Sequence, residues 1–337
     1  MTPKKRFMSA LFGGRVDRHP VGSATSVATL EQMKLADAYF PEAHKNPEKM
    51  AKLAVASYEI LGYDCIMPYF SVWLEGEALG CQVDWGDETR FPDGINKQGL
   101  WKEPEEIRLP ENFLEKPGPR ALLETISLLR ERYGDQVTIV GKMLGPLTLS
   151  YHVGGITNIL MSIVTEPQKV RSFLETLKEI TVEFGKAQAK AGADALSLPD
   201  HATGDLVSPK TYRDFLLPIH KEIVKRIGCP IIYHNCGDTL DRLEYIAEAK
   251  FDCFHFDSKV DAFKAKNITK SKISLMGNVN IPKTLLYGKP EDAKKEALYC
   301  MKAGVEIIGP ECAVPTSVTI SNLKAIVEAA REYTFGK

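Results

Sequence analysis

The sequence lacks long hydrophobic runs and an excess of either charge. No stretch of the 337 residues approaches the roughly 20 apolar residues that a membrane-spanning helix needs. The first fourteen residues, MTPKKRFMSALFGG, hold only a short, broken apolar run and do not form a signal peptide. Lys and Arg total 43 against 44 for Asp and Glu, so no net charge attracts nucleic acid or an anionic membrane. These absences predict a cytoplasmic globular protein without nucleic-acid or membrane partners.

Closely spaced cysteine pairs are also missing. The seven cysteines are scattered along the chain and odd in number, which excludes a disulfide framework. Structural zinc sites usually draw on paired cysteines, so that class of site is not indicated either. In a reducing compartment each thiol is therefore either a buried apolar group or a metal ligand.

Short β-rich runs alternate with amphipathic helices along the chain. We predict strands at residues 20–25, 64–69, 137–143, 194–198, 230–235, 252–256, 273–277 and 304–308. We predict helices at 47–61, 167–191, 210–227, 239–249 and 290–303, several with a proline near the first turn. Eight strands that alternate with helices predict an α/β fold with a single (β/α)8 TIM-type barrel.

Other segments complete the predicted architecture. Thr2-Pro3 is typical of a helix start, which predicts an N-terminal helical extension. Residues 86–120 are rich in proline and glycine and predict a long excursion after strand 2. We expect one barrel domain over residues 1–337, because barrels often exceed the usual domain length. A doubly wound open sheet is the alternative, but it normally has a glycine-rich turn after its first strand, and SATSVATL has none.

Polar side chains follow the predicted strands at their C-terminal ends. A barrel gathers these ends on one face, where such folds build active sites. The residues concerned are Ser23, Thr25, Tyr69, Thr148, Asp200, His234, Cys236, Asp257, Asn278, Glu311 and Cys312.

A His-x-Cys pair and one distant cysteine predict a metal site on this face. His234 and Cys236 lie two residues apart in an extended segment, so their side chains point the same way. Cys312 follows the last strand, in GPECAVP. Three nitrogen and sulfur donors with a free fourth position are typical of catalytic zinc. The alternative is that both thiols are small core residues and that His234 is a hydrogen-bonded polar residue.

Several longer segments resemble a known family. They are YHNCGDTLDRL, FHFDSKV, LMGNVN, TLLYGKPEDAKKEA, AGVEIIGPECAVP and NLKAIVEAAREY, together with ALFGGRVDRHPV and the GPLT of residues 145–148. These segments resemble the methylcobamide:coenzyme M methyltransferases, which are zinc proteins of the uroporphyrinogen decarboxylase superfamily. The resemblance spans most of the chain and assigns His234, Cys236 and Cys312 as the zinc ligands.

The resemblance also implies an activity and further site residues. It implies transfer of a methyl group from a methylated corrinoid, carried on a partner protein, to a small thiol such as coenzyme M. Asp257 and Asp200 are then catalytic candidates, and Tyr69 and Thr148 are candidate corrinoid contacts. Two positions depart from the family pattern. An acidic pair is replaced by Asp257-Ser258, and Glu311 stands where a small residue is expected.

Three other functions remain open from the sequence. A zinc site activates thiols in general, so a different thiol, or a folate in a demethylase component, is an alternative methyl acceptor. A porphyrinogen decarboxylase of the same fold needs no metal and begins with an arginine-rich loop similar to PxWxMRQAGR, which this chain lacks. A protein that binds zinc or corrinoid without catalysis is the third, although a site freed of chemistry has no physical reason to keep buried thiolates.

Overall fold

A parallel sheet curled into a barrel forms the centre of the fold. The computed structural model describes residues 1–270 and 272–333. In these ranges the strands are β1 (Cys65–Ile66), β2 (Val83–Asp84), β3 (Asp93–Gly94), β4 (Thr138–Lys142), β5 (Ala195–Pro199), β6 (Ile231–Asn235), β7 (Cys253–Phe256), β8 (Ser274–Val279) and β9 (Ile307–Pro310). The barrel order is β1-β4-β5-β6-β7-β8-β9, while β2 and β3 form a separate antiparallel pair.

The barrel closes through the segment around Val21. Val21 forms a parallel bridge with Ile308 of β9, and its carbonyl oxygen accepts from the N–H of Asp64, 2.7 Å away, just before β1. The segment therefore holds the remaining strand position, and the predicted (β/α)8 barrel is confirmed. The predicted strand 20–25 is too long, however. Ser23 Oγ accepts from the N–H of Thr25 at 3.1 Å, and this local turn diverts the chain from the sheet.

Helices pack around the barrel. They are α1 (Pro3–Leu11), α2 (Leu30–Ala36), α3 (Pro47–Glu59), α4 (Leu74–Ala78), α5 (Pro117–Tyr133), α6 (Pro146–Gly154), α7 (Ile156–Thr165), α8 (Pro167–Ala191), α9 (Pro209–Thr211), α10 (Leu217–Ile227), α11 (Leu243–Glu248), α12 (Ala262–Thr269), α13 (Pro290–Ala303) and α14 (Ile320–Glu332). Short 3-10 helices lie at Glu42–His44, Pro104–Glu106, Phe113–Glu115 and Leu240–Arg242, and π-helical turns at Tyr212–Leu216 and Ile281–Leu286. In the described ranges no single helix has the length and hydropathy of a membrane span; α6 and α7 reach them only as a pair, bent by 112°.

The predicted helix 210–227 is interrupted for an identifiable reason. Its first part is α9 and a π-helical turn, and regular α-helix resumes only at Leu217. Pro218 lacks an N–H and cannot bond to the carbonyl of Asp214 one turn earlier, which favours a widened turn there. That free carbonyl oxygen accepts instead from Nη1 of Arg171 on α8, at 2.7 Å. The interruption is therefore stabilised by a contact that the local pattern does not reveal.

The long excursion predicted after the second predicted strand, residues 64–69, is present and reaches the barrel mouth. Residues 86–120 contain β3, which pairs with β2 just before them, and two of the short 3-10 helices before α5 begins at Pro117. Phe91, Pro92 and Asp93 of this excursion line the cavity at the strand ends. The excursion therefore forms part of the site wall.

Candidate metal centre

The C-terminal ends of the strands surround a cavity of about 510 Å³. Large apolar side chains form much of its wall, among them Phe70, Trp73 and Leu144. His234 at the end of β6, Cys236 just after it and Cys312 after β9 also line it. The barrel thus places the three predicted metal ligands in one apolar wall.

The three donor atoms lie close together. His234 Nε2 is 3.0 Å from Cys236 Sγ and 3.5 Å from Cys312 Sγ. The two sulfurs are 2.7 Å apart. The His234 side chain is buried, whereas both cysteines are half-buried. The structure therefore joins residues from two strands that are distant in sequence around one point at the edge of the cavity.

This donor set fits a zinc ion. An imidazole and two thiolates match zinc's preference for nitrogen and sulfur. With zinc bonds of about 2.0–2.3 Å, the donors of a tetrahedral site are roughly 3.6–3.8 Å apart. Each distance between two donor atoms would therefore increase by about 1 Å or less when the ion binds. Three protein donors leave the fourth position for a ligand that enters through the cavity.

His255 of β7 fixes the orientation of the cluster. Its carbonyl oxygen lies 3.2 Å from His234 Nδ1, so Nδ1 carries the proton and the lone pair of Nε2 faces the sulfurs. The ring of His255 contacts the carbonyl oxygen of Pro310 through Nε2 at 2.8 Å. Burial lowers the pKa of His255 well below its ordinary value, so the ring stays neutral. One residue therefore ties β6 to the strand that leads to Cys312.

The two thiols share a negative charge. The hydrogen bond from Cys236 lowers the pKa of Cys312 well below its ordinary value, and His234 adds to this effect. The same contact and burial raise the pKa of Cys236. This contact therefore favours the thiolate form of Cys312, which suits a metal site.

Asp257 and Glu311 hold the backbone beside the cluster. Asp257 accepts from the N–H groups of Gly237 and Lys259 at 2.8 and 2.9 Å. Glu311 accepts from Ser258 and Ile281 at 3.0 and 2.6 Å, and burial raises its pKa. Neither belongs to the donor group, whose atoms lie within 4.8 Å of one another. Both carboxylates orient the loops that carry Cys236 and Cys312.

We expect Asp257→Ala to weaken zinc binding by about 10- to 100-fold, the usual effect of losing a residue that orients a ligand. The variant frees the N–H of Gly237, the neighbour of Cys236. Competition with a chelator of known affinity measures the change. Asp238→Ala is the matched control, since Asp238 accepts from Leu240 at 3.0 Å on the same loop. Equal affinities for the Asp257 variant and the wild type would contradict the orienting role.

Asp200 lies in the cavity wall, but its oxygens are engaged. Oδ1 accepts from the N–H and the hydroxyl of Thr148 at 2.8 and 3.2 Å. Oδ2 lies 3.0 Å from Nε2 of His220, whose Nδ1 is 3.1 Å from the hydroxyl of Tyr212. Thr148 also lines the cavity, and its hydroxyl accepts from His201 at 2.8 Å. These bonds give Asp200 and Thr148 a clear structural role in joining β5 to α6.

The aromatic side chains that follow β1 divide into two groups. Phe70 and Trp73 line the cavity, and Trp73 stacks on His152 with ring centroids 3.9 Å apart. Tyr69 is fully buried and does not line the cavity; its hydroxyl donates to Glu75. Tyr69 is therefore engaged inside the protein, and its role as a corrinoid contact stays a prediction.

Sequence reasoning missed Lys142. This residue ends β4, is 3% exposed and lines the cavity. A lysine within the apolar run VTIVGKM was the available signal, because lysine is rarely buried without a function or a partner.

Comparisons with known proteins identify the family of the chain. The chain matches the family model of uroporphyrinogen decarboxylase (URO-D) over residues 2–333. It is 34% identical over 333 residues to a methylated-thiol–coenzyme M methyltransferase of Methanosarcina mazei, covering 98% of this chain and 90% of that protein. It is 31% identical over 334 residues to the methylcobamide:CoM methyltransferase MtaA of Methanosarcina barkeri, covering 98% of each.

A solved structure extends the agreement to the backbone. A methyltransferase from Methanosarcina mazei superposes with a TM-score of 0.95 at 30% identity, over 98% of this chain and 99% of that one. Sequence and fold therefore agree over nearly the whole length, and the resemblance of the sequence segments is confirmed. The chain belongs to the methylcobamide:coenzyme M methyltransferases within the uroporphyrinogen decarboxylase superfamily.

Proposed function

We propose that this chain is a zinc-dependent methyltransferase that moves a methyl group from a methylated corrinoid to a small thiol. The observation that carries the proposal is the group of His234, Cys236 and Cys312 in the wall of the apolar cavity. The relatives named above act, by their names, on methylcobamides, methylated thiols and coenzyme M. The donor set suits the activation of such a thiol.

The protein groups hold and orient the metal. Nε2 of His234 and the two sulfurs would bind the ion, and His255 keeps the lone pair of Nε2 directed at it. A bound zinc ion would lower the pKa of a substrate thiol, since metal coordination deprotonates thiols. The apolar walls around Phe70 and Trp73 would reduce the hydration of the thiolate, which preserves its nucleophilicity.

The methyl transfer balances as a direct displacement. The thiolate sulfur attacks the methyl carbon, a sulfur–carbon bond forms and the cobalt–carbon bond breaks. The electron pair of the cobalt–carbon bond stays on cobalt, so cobalt(III) becomes cobalt(I). The product is a methyl thioether. The thiol proton leaves before the attack, and no further oxidant or reductant is needed.

The size of the cavity indicates how the methyl donor arrives. A volume of about 510 Å³ is that of a site for one small molecule. It is too small to enclose a corrinoid and its carrier, so a separate corrinoid protein would present the methyl group at the barrel mouth.

The seven free cysteines agree with a reducing cytoplasm.

A decarboxylase of the same fold is less consistent with this site. Porphyrinogens carry many carboxylates, and arginine is the residue suited to bind them in pairs. Among the described residues, none that lines the cavity is an arginine. The donor cluster would also have no task in a reaction without a metal.

An acceptor screen tests the proposal. The purified protein is incubated with methylcobalamin and, in turn, 2-mercaptoethanesulfonate, homocysteine and tetrahydrofolate, while absorbance follows the conversion of cobalt(III) to cobalt(I). We expect turnover with at least one thiol, and metal analysis should give about one zinc per chain. Turnover with the folate alone would show that the thiol assignment is wrong.

A further inference from the structure

A surface helix without any charge lies at the rim of the cavity. Helix α7 (Ile156–Thr165) has the sequence ITNILMSIVT, which contains no charged residue, although charged residues make up 26% of the chain. Its first residue, Ile156, is also part of the cavity wall. The apolar wall of the cavity therefore continues outward onto this helix.

The apolar side chains of α7 face outward. Only two of its ten residues are buried, whereas Ile156, Met161 and Val164 are 40%, 63% and 82% exposed. Ile156, Leu160 and Val164 are spaced by four residues, so they form a row on one face of the helix. The described parts of the chain leave this row open. Clustered exposed apolar side chains, unlike single ones, mark an interaction surface.

A bend at the start of α7 holds the helix in this orientation. Gly155 has a φ of 79°, a positive value that favours glycine, and α7 turns there by 112° from α6. The excursion packs against the bend, because a Cβ on Gly155 would lie 2.7 Å from the carbonyl oxygen of Gln98. Nδ2 of Asn158 donates to the same oxygen at 3.3 Å. Contacts at its first turn therefore fix the helix with its apolar row outward.

The size of the row suits a partner that binds briefly. Ten residues form a helix about 15 Å long and about 10 Å wide, so one face offers roughly 200 Å². A stable complex buries about 800 Å² on each partner, so α7 by itself is too small to hold a second copy permanently. A protein that delivers one methyl group has to leave before it can be methylated again, and a small surface allows this.

We propose that α7 docks the protein that carries the methylated corrinoid, with its aliphatic row packed against an apolar patch of that protein. The inference rests on the proposed function and adds the surface that the partner uses. The cavity is too small for a corrinoid, so the methylated cobalt has to stand at its mouth, where Ile156 places the start of α7. The helix then affects the presentation of the methyl donor and not the chemistry at the cysteine cluster.

Two methyl donors separate docking from chemistry. Free methylcobalamin needs no docking surface. The second donor is a corrinoid protein purified from the source cells by its cobamide absorbance, reduced to cobalt(I) and methylated with methyl iodide. We expect Val164→Glu and Val164→Lys each to raise the KM for this protein about 10- to 100-fold, because either charge would lose its hydration in an apolar interface. The rate with free methylcobalamin should change less than about twofold.

Phe12→Glu is the matched control. Phe12 is 59% exposed, and the next residue, Gly13, lies beside Ser274 at the start of β8. Phe12 is therefore an exposed apolar side chain at the opposite end of the barrel from the cavity. We expect this variant to keep the wild-type KM for both donors within about twofold.

The remaining outcomes would overturn the inference. These are an unchanged KM in both Val164 variants, a loss with only one sign of charge, an equal loss with both donors, and a wild type that uses methylcobalamin but not the corrinoid protein. A wild-type dimer that Val164→Glu dissociates in sedimentation would assign the row to a second copy. Wild-type binding to phosphatidylglycerol vesicles that this variant abolishes would assign it to a lipid surface.

The proposed function fails separately. Inactivity with methylcobalamin and every thiol would refute the methyl transfer. Co-sedimentation of the chain with the corrinoid protein would still test the docking row, since the Val164 variants should weaken that complex and Phe12→Glu should not.

Discussion

Replacing Cys312 with alanine is expected to remove the zinc and to lower the rate of methyl transfer by about 1,000-fold or more. A free thiol is only about 3% ionised at pH 7, so losing metal activation alone costs about 30-fold. Losing the position of the nucleophile costs roughly another 100-fold. Metal analysis and single-turnover kinetics with methylcobalamin measure the two effects.

Cys229→Ala is the control for this variant. Cys229 lies outside the donor cluster, and burial raises its pKa to about 12, so its thiol is neither a ligand nor a nucleophile. We expect wild-type zinc content and rate for this control. If Cys312→Ala kept both one zinc and full activity, the reaction would have to use a different site.

Asp200→Ala is expected to lower the free energy of unfolding by about 3–5 kcal/mol. The carboxylate accepts from Thr148 and contacts His220, and both Asp200 and His220 are fully buried. Its removal leaves the buried imidazole of His220 and the half-buried donors of Thr148 without an acceptor, at about 1–3 kcal/mol each. Urea denaturation followed by circular dichroism measures the change.

Asp205→Ala is the matched control, because that carboxylate is exposed and forms a surface ion pair with Lys259 at 2.9 Å. Such pairs contribute little to stability, so we expect a change within about 1 kcal/mol. A normal unfolding curve for Asp200→Ala together with lost activity would instead give Asp200 a direct part in the chemistry.

The barrel could be predicted because its signals are local. Apolar runs such as PIIYHN mark strands, and prolines mark helix starts, so α8 and α13 begin and end where the sequence predicts them. Errors occur where distant contacts decide. The break before Pro218 is stabilised by Arg171 from another helix. The predicted first strand is shortened to a bridge for a different, local reason, the turn between Ser23 and Thr25.

The same division holds for the site. His234 and Cys236 are adjacent in a strand, and the fold places Cys312 next to them, so their proximity followed from the barrel alone. The hydrogen bonds of Asp200 and Asp257 could not be predicted from the barrel, because a carboxylate that binds backbone amides has the same sequence signal as a catalytic one. Lys142 was missed although a lysine in an apolar run is a signal, because its place in the cavity wall is visible only in the folded chain.

The position of Cys312 has a consequence for how the protein matures. Its sulfur meets that of Cys236 across 76 residues of chain, and it follows the last strand of the barrel. A growing polypeptide therefore cannot assemble the three donors until Cys312 has left the ribosome. In the proposed zinc enzyme, metal uptake would then be a late event that follows the closure of the fold, unlike that of a zinc finger, whose folding depends on the ion. A chain truncated before the last strand would lack the Cys312 donor. Such an incomplete molecule could not form the three-donor site and could not activate a thiol.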